Sequence, residues 1–441
     1  MDSTPRRVHV PSVIVLLISG LGLISALAAA VGLFANGLIG LISGSGTVPE
    51  IPEQTRSLFS LAWISGLVAL LLIPVLASAL ITVLNVSRRS LQWIERLGAV
   101  RIASVLMIAW PFVIALGAWI ARSDFYTWLF LPPIQIYVIA VPLWWLLELG
   151  RRGLPGGRPQ RSWNLMGISL VVTPTLILVI ESAVLVAIAL LAALITALQP
   201  GAIEMLTALG QRIAGSGGRQ SQILRLMQPI LRNPAVIYGI LATMSGAVPL
   251  VEETLKPLAV WGLIKRPLEP AEGFKAGLIC GACFGLMESL GAVTTVSGDA
   301  WMFTVIARFG TGLLHTVTAG LMGYGLASAW SRKQYVQLGG IFLLCVGLHG
   351  TWNCFSLLMG LVSAMGLDSA AQGFLGLAQR LSGIAPAVLI ILVVVLFLIL
   401  IGANRILRRD AARETTLPSS VPDASLELQA VSTGSAPANS D

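Results

Sequence analysis

Apolar residues run through this chain in long blocks, and polar positions break them only at intervals. The blocks fall near 12–43, 57–86, 102–121, 127–149, 163–198, 234–264, 273–293, 300–330, 336–363 and 383–403. A helix of about 20 apolar residues crosses the hydrocarbon core, where lipid offers an open backbone no partner. The pattern therefore predicts an all-α fold, a polytopic transmembrane helix bundle of about ten spans. The first block is too long for a cleaved signal peptide and reads as a retained helix, dipping or tilting near Gly37, Gly40 and Gly44. As one helix, the fifth block would be ~52 Å long. It must tilt, bend near Pro174 or leave the membrane, and it carries Glu181 with no local base.

Two stretches depart from the pattern. Ile203, Leu206, Leu209 and Ile213 follow helical spacing, and so do Ile223, Leu226, Met227 and Ile230 after a Gly-Ser break. Arginines punctuate both, which predicts an amphipathic pair over 199–233 on the outer membrane surface, or else a solvated helical hairpin. Beyond Asn404 the apolar pattern stops, and the Ser-, Ala-, Pro- and Thr-rich segment 404–441 reads as a disordered cytosolic tail. A flexible basic linker, Arg151 to Arg158, divides an N-terminal four-span extension (1–162) from a second domain (163–403). No internal repeat is evident.

Composition sharpens this picture. Charged residues are only 11% of the chain, hydrophobic ones 56%, and the mean hydropathy is +0.86. The net charge of +8 invites a nucleic-acid partner, but the distribution argues against one. With a cytosolic N-terminus, the cytosolic loops hold Arg88, Arg89, Arg96 and Arg101; then Arg151, Arg152, Arg158 and Arg161; then Lys265, Arg266, Lys275, Arg332 and Lys333. Arg6, Arg7, Arg405, Arg408, Arg409 and Arg413 flank the ends, so both termini are expected in the cytosol. Arg212, Arg219, Arg225 and Arg232, in the segment placed outside, are the misfit. Tryptophans in the first spans fit an interfacial belt. The cysteines (Cys280, Cys283, Cys345 and Cys354) all lie within spans, which excludes an extracytoplasmic disulfide framework. Cys280 and Cys283 form a single CxxC and read as small packing residues.

Ionisable residues at membrane depth are costly and mark function. The last five spans concentrate them: Glu252, Glu253, Lys256, Glu288, Arg308, His315 and His349. Counted from Lys265, Glu272, Arg332 and Lys333, four of them (Glu252, Glu288, His315 and His349) lie roughly 20–26 Å from the cytosolic ends of their helices. Antiparallel helices thus bring two acids and two histidines to one level. Lys256 is one turn from both Glu252 and Glu253 and can neutralise either. The adjacent carboxylates repel, which suits one of them to act as a general base. His349 and Asn353 share a helix face, as do Phe284 and Glu288. Gly277, Gly281 and Gly285 form a small-residue stripe for close helix packing.

In these residues the chain resembles the PrsW-type intramembrane proteases, distant relatives of the CAAX prenyl endopeptidases. Glu252-Glu253-Thr-Leu-Lys256 matches an E-E-x-x-K motif, and Phe284-Gly-Leu-Met-Glu288 matches F-x-x-x-E. A segment from Arg308 to His315 follows, and His349-Gly-Thr-Trp352-Asn353 matches H-x-x-W-N. The match covers roughly 165–365. Ser289 stands where the family pattern usually has Asn, and its hydroxyl can still hydrogen-bond. The resemblance implies a multi-pass cell-membrane peptidase that cuts a membrane-bound protein substrate.

No Ser–His–Asp set, G-x-S-x-G elbow or H-E-x-x-H motif is present, and no organic cofactor is expected. Two versions of the chemistry stay open. In one, Glu288, His315 and His349 bind a divalent metal, Zn2+ or another, while Glu252 or Glu253 deprotonates its water. In the other there is no metal: the glutamates activate water directly, and His349 and Asn353 polarise the carbonyl. Lys256 neutralises the acids in both. A proton-coupled transporter would also place acids, a lysine and histidines at the midplane. The missing repeats argue against it. A non-catalytic membrane scaffold is the remaining alternative.

Overall fold

A computed structural model of the chain describes residues 10–43, 53–84, 99–123, 126–155, 159–197, 201–215, 220–365 and 373–416. Helices account for all the regular structure among them. In order they are α1 (Val10–Ser43), α2 (Glu53–Val83), α3 (Ala99–Ile120), α4 (Thr127–Arg151), α5 (Pro159–Ala197), α6 (Ala202–Gly215), α7 (Gln220–Leu231) and α8 (Pro234–Ala242). A π turn (Thr243–Ala247) then leads into α9 (Val248–Leu255) and α10 (Leu258–Trp261). The rest are α11 (Pro270–Val293), α12 (Ala300–Arg332), α13 (Tyr335–Met365) and α14 (Gly373–Thr416). Ten segments are long and apolar enough to cross a membrane, with α8 to α10 forming one of them. They fall on the blocks the hydropathy pattern predicts.

The bundle is layered. α11 and α12 are its interior, while α1 and α2 turn Leu21, Ile24, Val31 and Leu70 outward, as lipid-facing helices do. The α11–α12 contact is close because glycines remove the intervening side chains. A Cβ at Gly277 would stand 2.0 Å from the Ala319 carbonyl oxygen, and one at Gly281 would stand 2.1 Å from that of His315. Gly281→Ala therefore drives its new methyl group into the backbone of His315 and forces the two helices apart there. The expected cost is about 1–3 kcal/mol, read as a lower melting temperature in detergent together with slower turnover.

The early spans pack on this interior through shared core. Ile114, Leu131 and Val138 cluster with Leu290, Trp301 and Val305. Trp110 donates to the Val138 carbonyl at 2.9 Å, and Gln135 donates to that of Val293 at 2.7 Å. Near the 151–161 linker, Arg161 pairs with Glu272 at 2.8 Å, and Glu148 holds Arg151. Cys280 and Cys283 are buried free thiols between α5 and α11, packed as small residues.

Two segments refine the sequence reading. The stretch 199–233 does form two helices, α6 and α7, and α7 is tied to the end of α13 by Gln228 to the Ala364 carbonyl at 3.3 Å and Arg232 to that of Met365 at 3.0 Å. The tail expected to be disordered from residue 404 is helical as far as Thr416. Asn404 is buried and donates to the Gly150 and Arg152 carbonyls at 2.7 and 3.0 Å, which anchors the helix where the apolar pattern ends. The remainder of that tail, 417–441, lies outside the described residues.

Candidate functional site

The segment before the paired glutamates is deliberately irregular. Asn233 caps α8 by accepting from the Ala235 amide at 3.0 Å, and Pro234 sits at the first helical position. The helix then widens into the π turn just before Pro249, which has no N–H to continue the ladder. Gly350 lets α13 close on this turn, because a Cβ there would lie 2.3 Å from the Ser245 carbonyl oxygen. Asn353 clamps it, donating to the Met244 carbonyl at 2.9 Å. The short α9 follows, carrying Glu252 and Glu253 inward, and Pro257 ends the segment immediately after Lys256.

All three of these side chains are buried, Glu253 and Lys256 with no exposed surface. Lys256 Nζ stands 2.7 Å from Glu253 Oε1, 3.1 Å from Glu252 Oε2 and 2.7 Å from His315 Nδ1. Thr318 donates to Glu253 Oε1 at 3.2 Å, and His349 Nδ1 lies 2.8 Å from the same oxygen. On the far side of His315, Nε2 is 2.5 Å from Glu288 Oε2, which Arg308 pairs at 2.6 Å. Arg308 also donates to the Ser289 hydroxyl at 3.1 Å, so serine does hydrogen-bond at this position. Phe284 stands edge-on to the His315 ring, with centroids 5.0 Å apart.

These contacts set the state of both histidines. An ammonium only donates, so His315 Nδ1 is an acceptor and its proton sits on Nε2, directed at Glu288. A carboxylate only accepts, so His349 carries its proton on Nδ1, directed at Glu253. Two ring lone pairs are thereby left free of a carboxylate partner, on His315 Nδ1 and His349 Nε2. Each is 3.9 Å from Glu252 Oε2. Ligand atoms of Glu252, His315 and His349 all lie within 4.8 Å of one another, a grouping suited to a metal ion.

The donor set fits such an ion. Two imidazoles and a carboxylate are a catalytic zinc set, and histidine ligands are usually held through their second nitrogen by a carboxylate, as both are here. A cation already stands among the donors in the form of the Lys256 ammonium. Glu252 Oε2 and Glu253 Oε2 are buried without a hydrogen bond.

Glu252, Glu253, Lys256, Glu288, Arg308, His315 and His349 thus meet from α9, α11, α12 and α13. Two expectations change. Glu288, expected with the histidines as a ligand, lies behind His315, bonded to Nε2 and Arg308, and the ligand atoms that group with the histidines are those of Glu252. Asn353, expected to polarise the carbonyl with His349, gives its amide N–H to the backbone of the π turn. Sequence reasoning gave Glu181 no role, yet from α5 its carboxyl stands in the electrostatic surroundings of Glu252, Glu288 and Lys256. Its lone position inside an apolar span was the available signal.

Comparison with known proteins gives this cluster a context. No curated protein and no solved structure matches the chain. The family model described as PrsW family intramembrane metalloprotease matches residues 170–400, more than half of the sequence and the part that holds every residue of the cluster. The chain therefore belongs to the PrsW family and is an intramembrane peptidase.

Proposed function

We propose that this multi-pass protein works in the cell membrane, both termini cytosolic, and hydrolyses a peptide bond of a membrane-bound protein at Glu252, His315 and His349. The observation that carries this reading is the matched support of the two imidazoles. Each donates one N–H to a carboxylate and turns its other ring nitrogen toward Glu252, that of His315 accepting from the Lys256 ammonium. A divalent metal held by these three residues would polarise the scissile carbonyl and make water a nucleophile near neutral pH. Glu288 and Glu253 fix the ring orientations and proton positions of His315 and His349. Arg308 holds Glu288 in place, and Thr318 and Lys256 hold Glu253. Lys256 also places a fixed positive charge beside the two histidines and the paired glutamates, where it would stabilise negative charge developing on the carbonyl oxygen. The packed interior of α11 and α12 limits water to what the polar cluster admits.

One observation favours the metal-free version, in which Glu252 activates water directly. The Lys256 ammonium itself occupies the space between the donors. Elemental analysis and chelation separate the two. Purified protein is expected to carry about one transition metal, and removing it should abolish cleavage of a reporter membrane substrate until metal is restored. Full activity in protein verified as metal-free would leave only the glutamate version.

A further inference from the structure

Pro249 leaves a gap in the backbone ladder of the span that carries the paired glutamates. A π turn bonds an amide to the carbonyl five residues earlier, and Val248 N–H bonds the Thr243 carbonyl in this way. The next donor in that series would be residue 249, and proline has no N–H. The Met244 carbonyl is thereby left without its ladder partner inside a membrane span, where lipid supplies none. Asn353 of α13 fills that place, its Nδ2 donating to the Met244 carbonyl oxygen at 2.9 Å.

The grip extends along one stretch of α13. At Gly350 the Ser245 carbonyl comes so close that a Cβ would stand 2.3 Å from its oxygen. At His349, Nδ1 is 2.8 Å from Glu253 Oε1. α13 therefore holds the turn and the acid that follows it at once. The register matters because a π turn contains one residue more than an α turn. Tightening it to α geometry would rotate α9 by about 100°, which is the angle between successive residues such as Glu252 and Glu253. The wrong carboxylate would then face the histidine pair.

We infer that Asn353 is a positioning residue: it takes the place of the N–H that Pro249 lacks, and so holds the π register that directs Glu252 toward the histidines and Glu253 toward His349 and Lys256. It acts through these glutamates and not on the substrate carbonyl. This rests on the reading of Glu252, His315 and His349 as the reacting site.

The test is a double-variant cycle in purified full-length protein in detergent. Wild type, Asn353→Ala, Pro249→Ala and the two together are assayed for reporter cleavage and melted. Asn353→Ala is expected to lower kcat about 10²-fold with KM little changed, the scale of a reacting group misplaced by about 1 Å. It should also melt lower, because a carbonyl inside the span loses its donor. Pro249→Ala restores an N–H to the ladder, so in that background the kcat loss from Asn353→Ala should shrink to about tenfold or less, and the melting shift should shrink with it. An undiminished kcat loss would assign the amide to the substrate carbonyl and overturn the inference, as would an Asn353→Ala protein that cleaves at the wild-type rate. Should Pro249→Ala itself abolish cleavage, the melts decide, and equal shifts in both backgrounds overturn it. The melting cycle needs no turnover, so a wild type that cleaves no reporter would overturn the hydrolytic reading separately from this one.

Discussion

A Glu252→Gln protein is expected to fold like wild type and to cleave ~10²–10⁴-fold more slowly, the usual loss when a reacting acid–base group is removed. The amide keeps the size of the side chain but loses charge and basicity. In the metal version it removes the only acid among the three donors, so bound metal should fall with activity. In the metal-free version it removes the group that activates water. Folding should survive because Glu252 Oε2 is buried with no hydrogen bond, and a neutral amide is cheaper to bury than a charge. Glu253→Gln should behave differently. That carboxylate has no exposed surface and is bonded to Lys256, His349 and Thr318, so its loss leaves the ammonium with only the longer pairing to Glu252 and breaks three buried contacts at once. The amide oxygen can still accept from His349, so metal affinity should drop by only about 10–100-fold, the effect of disturbing a group behind a ligand. Its melting temperature should fall further than that of Glu252→Gln. Cleavage rate, metal content and melting temperature, measured on both variants, separate the two roles. A Glu252→Gln, Glu253→Gln double variant that cleaves at the wild-type rate would move the site elsewhere.

The levels of this site were legible in sequence because a helix converts residue number into depth. Glu252, Glu288, His315 and His349, at similar distances from their cytosolic anchors, do meet. What depth does not encode is rotation about each helix axis, and that is where the reading diverged. Glu252 and Glu288 were equally good third donors by level. They were separated only by which ring nitrogen of His315 each one faces. The two glutamates of α9 point about 100° apart, and the π turn ahead of them sets their final direction. Only Pro249 and the neighbouring Gly246 hint at such a turn in the sequence. Asn353 shows the same limit: its face was right, but its amide meets the backbone of that turn. Glu181 lies far along the chain from Glu252 and Glu288, so no local spacing could relate it to them. The helical extension past Asn404 was hidden for another reason, since hydropathy reports lipid and not the hydrogen bonds that anchor a helix outside it.

Lys256→Met is expected to give the largest loss of stability of any single change in the cluster, together with an unusual response to metal. Lys256 has no exposed surface, and its Nζ contacts both α9 carboxylates and His315. Methionine fills similar volume, so the cavity contribution is small and the effect is electrostatic. Removing one partner of a buried ion pair typically costs about 3–5 kcal/mol, because the other charge stays in a medium that cannot solvate it. Here Glu253 and Glu252 lose their shared counter-charge at once. A divalent ion among the same donors would supply that charge again. At a metal concentration of 100 Kd, binding to the folded state alone returns about 2.7 kcal/mol. Metal-free Lys256→Met should therefore melt well below metal-free wild type and gain more from added Zn2+ than wild type does, since the vacated space and the extra unpaired charge both favour the ion. Activity should stay low even in the restored protein if the ammonium also stabilises the carbonyl oxygen. Thermal melts of both proteins across a Zn2+ titration, with cleavage assayed at each end, provide the measurement. A variant that Zn2+ cannot stabilise, beside a wild type equally indifferent to it, would mean that the lysine is the resident cation of this site and that the glutamates work without a metal.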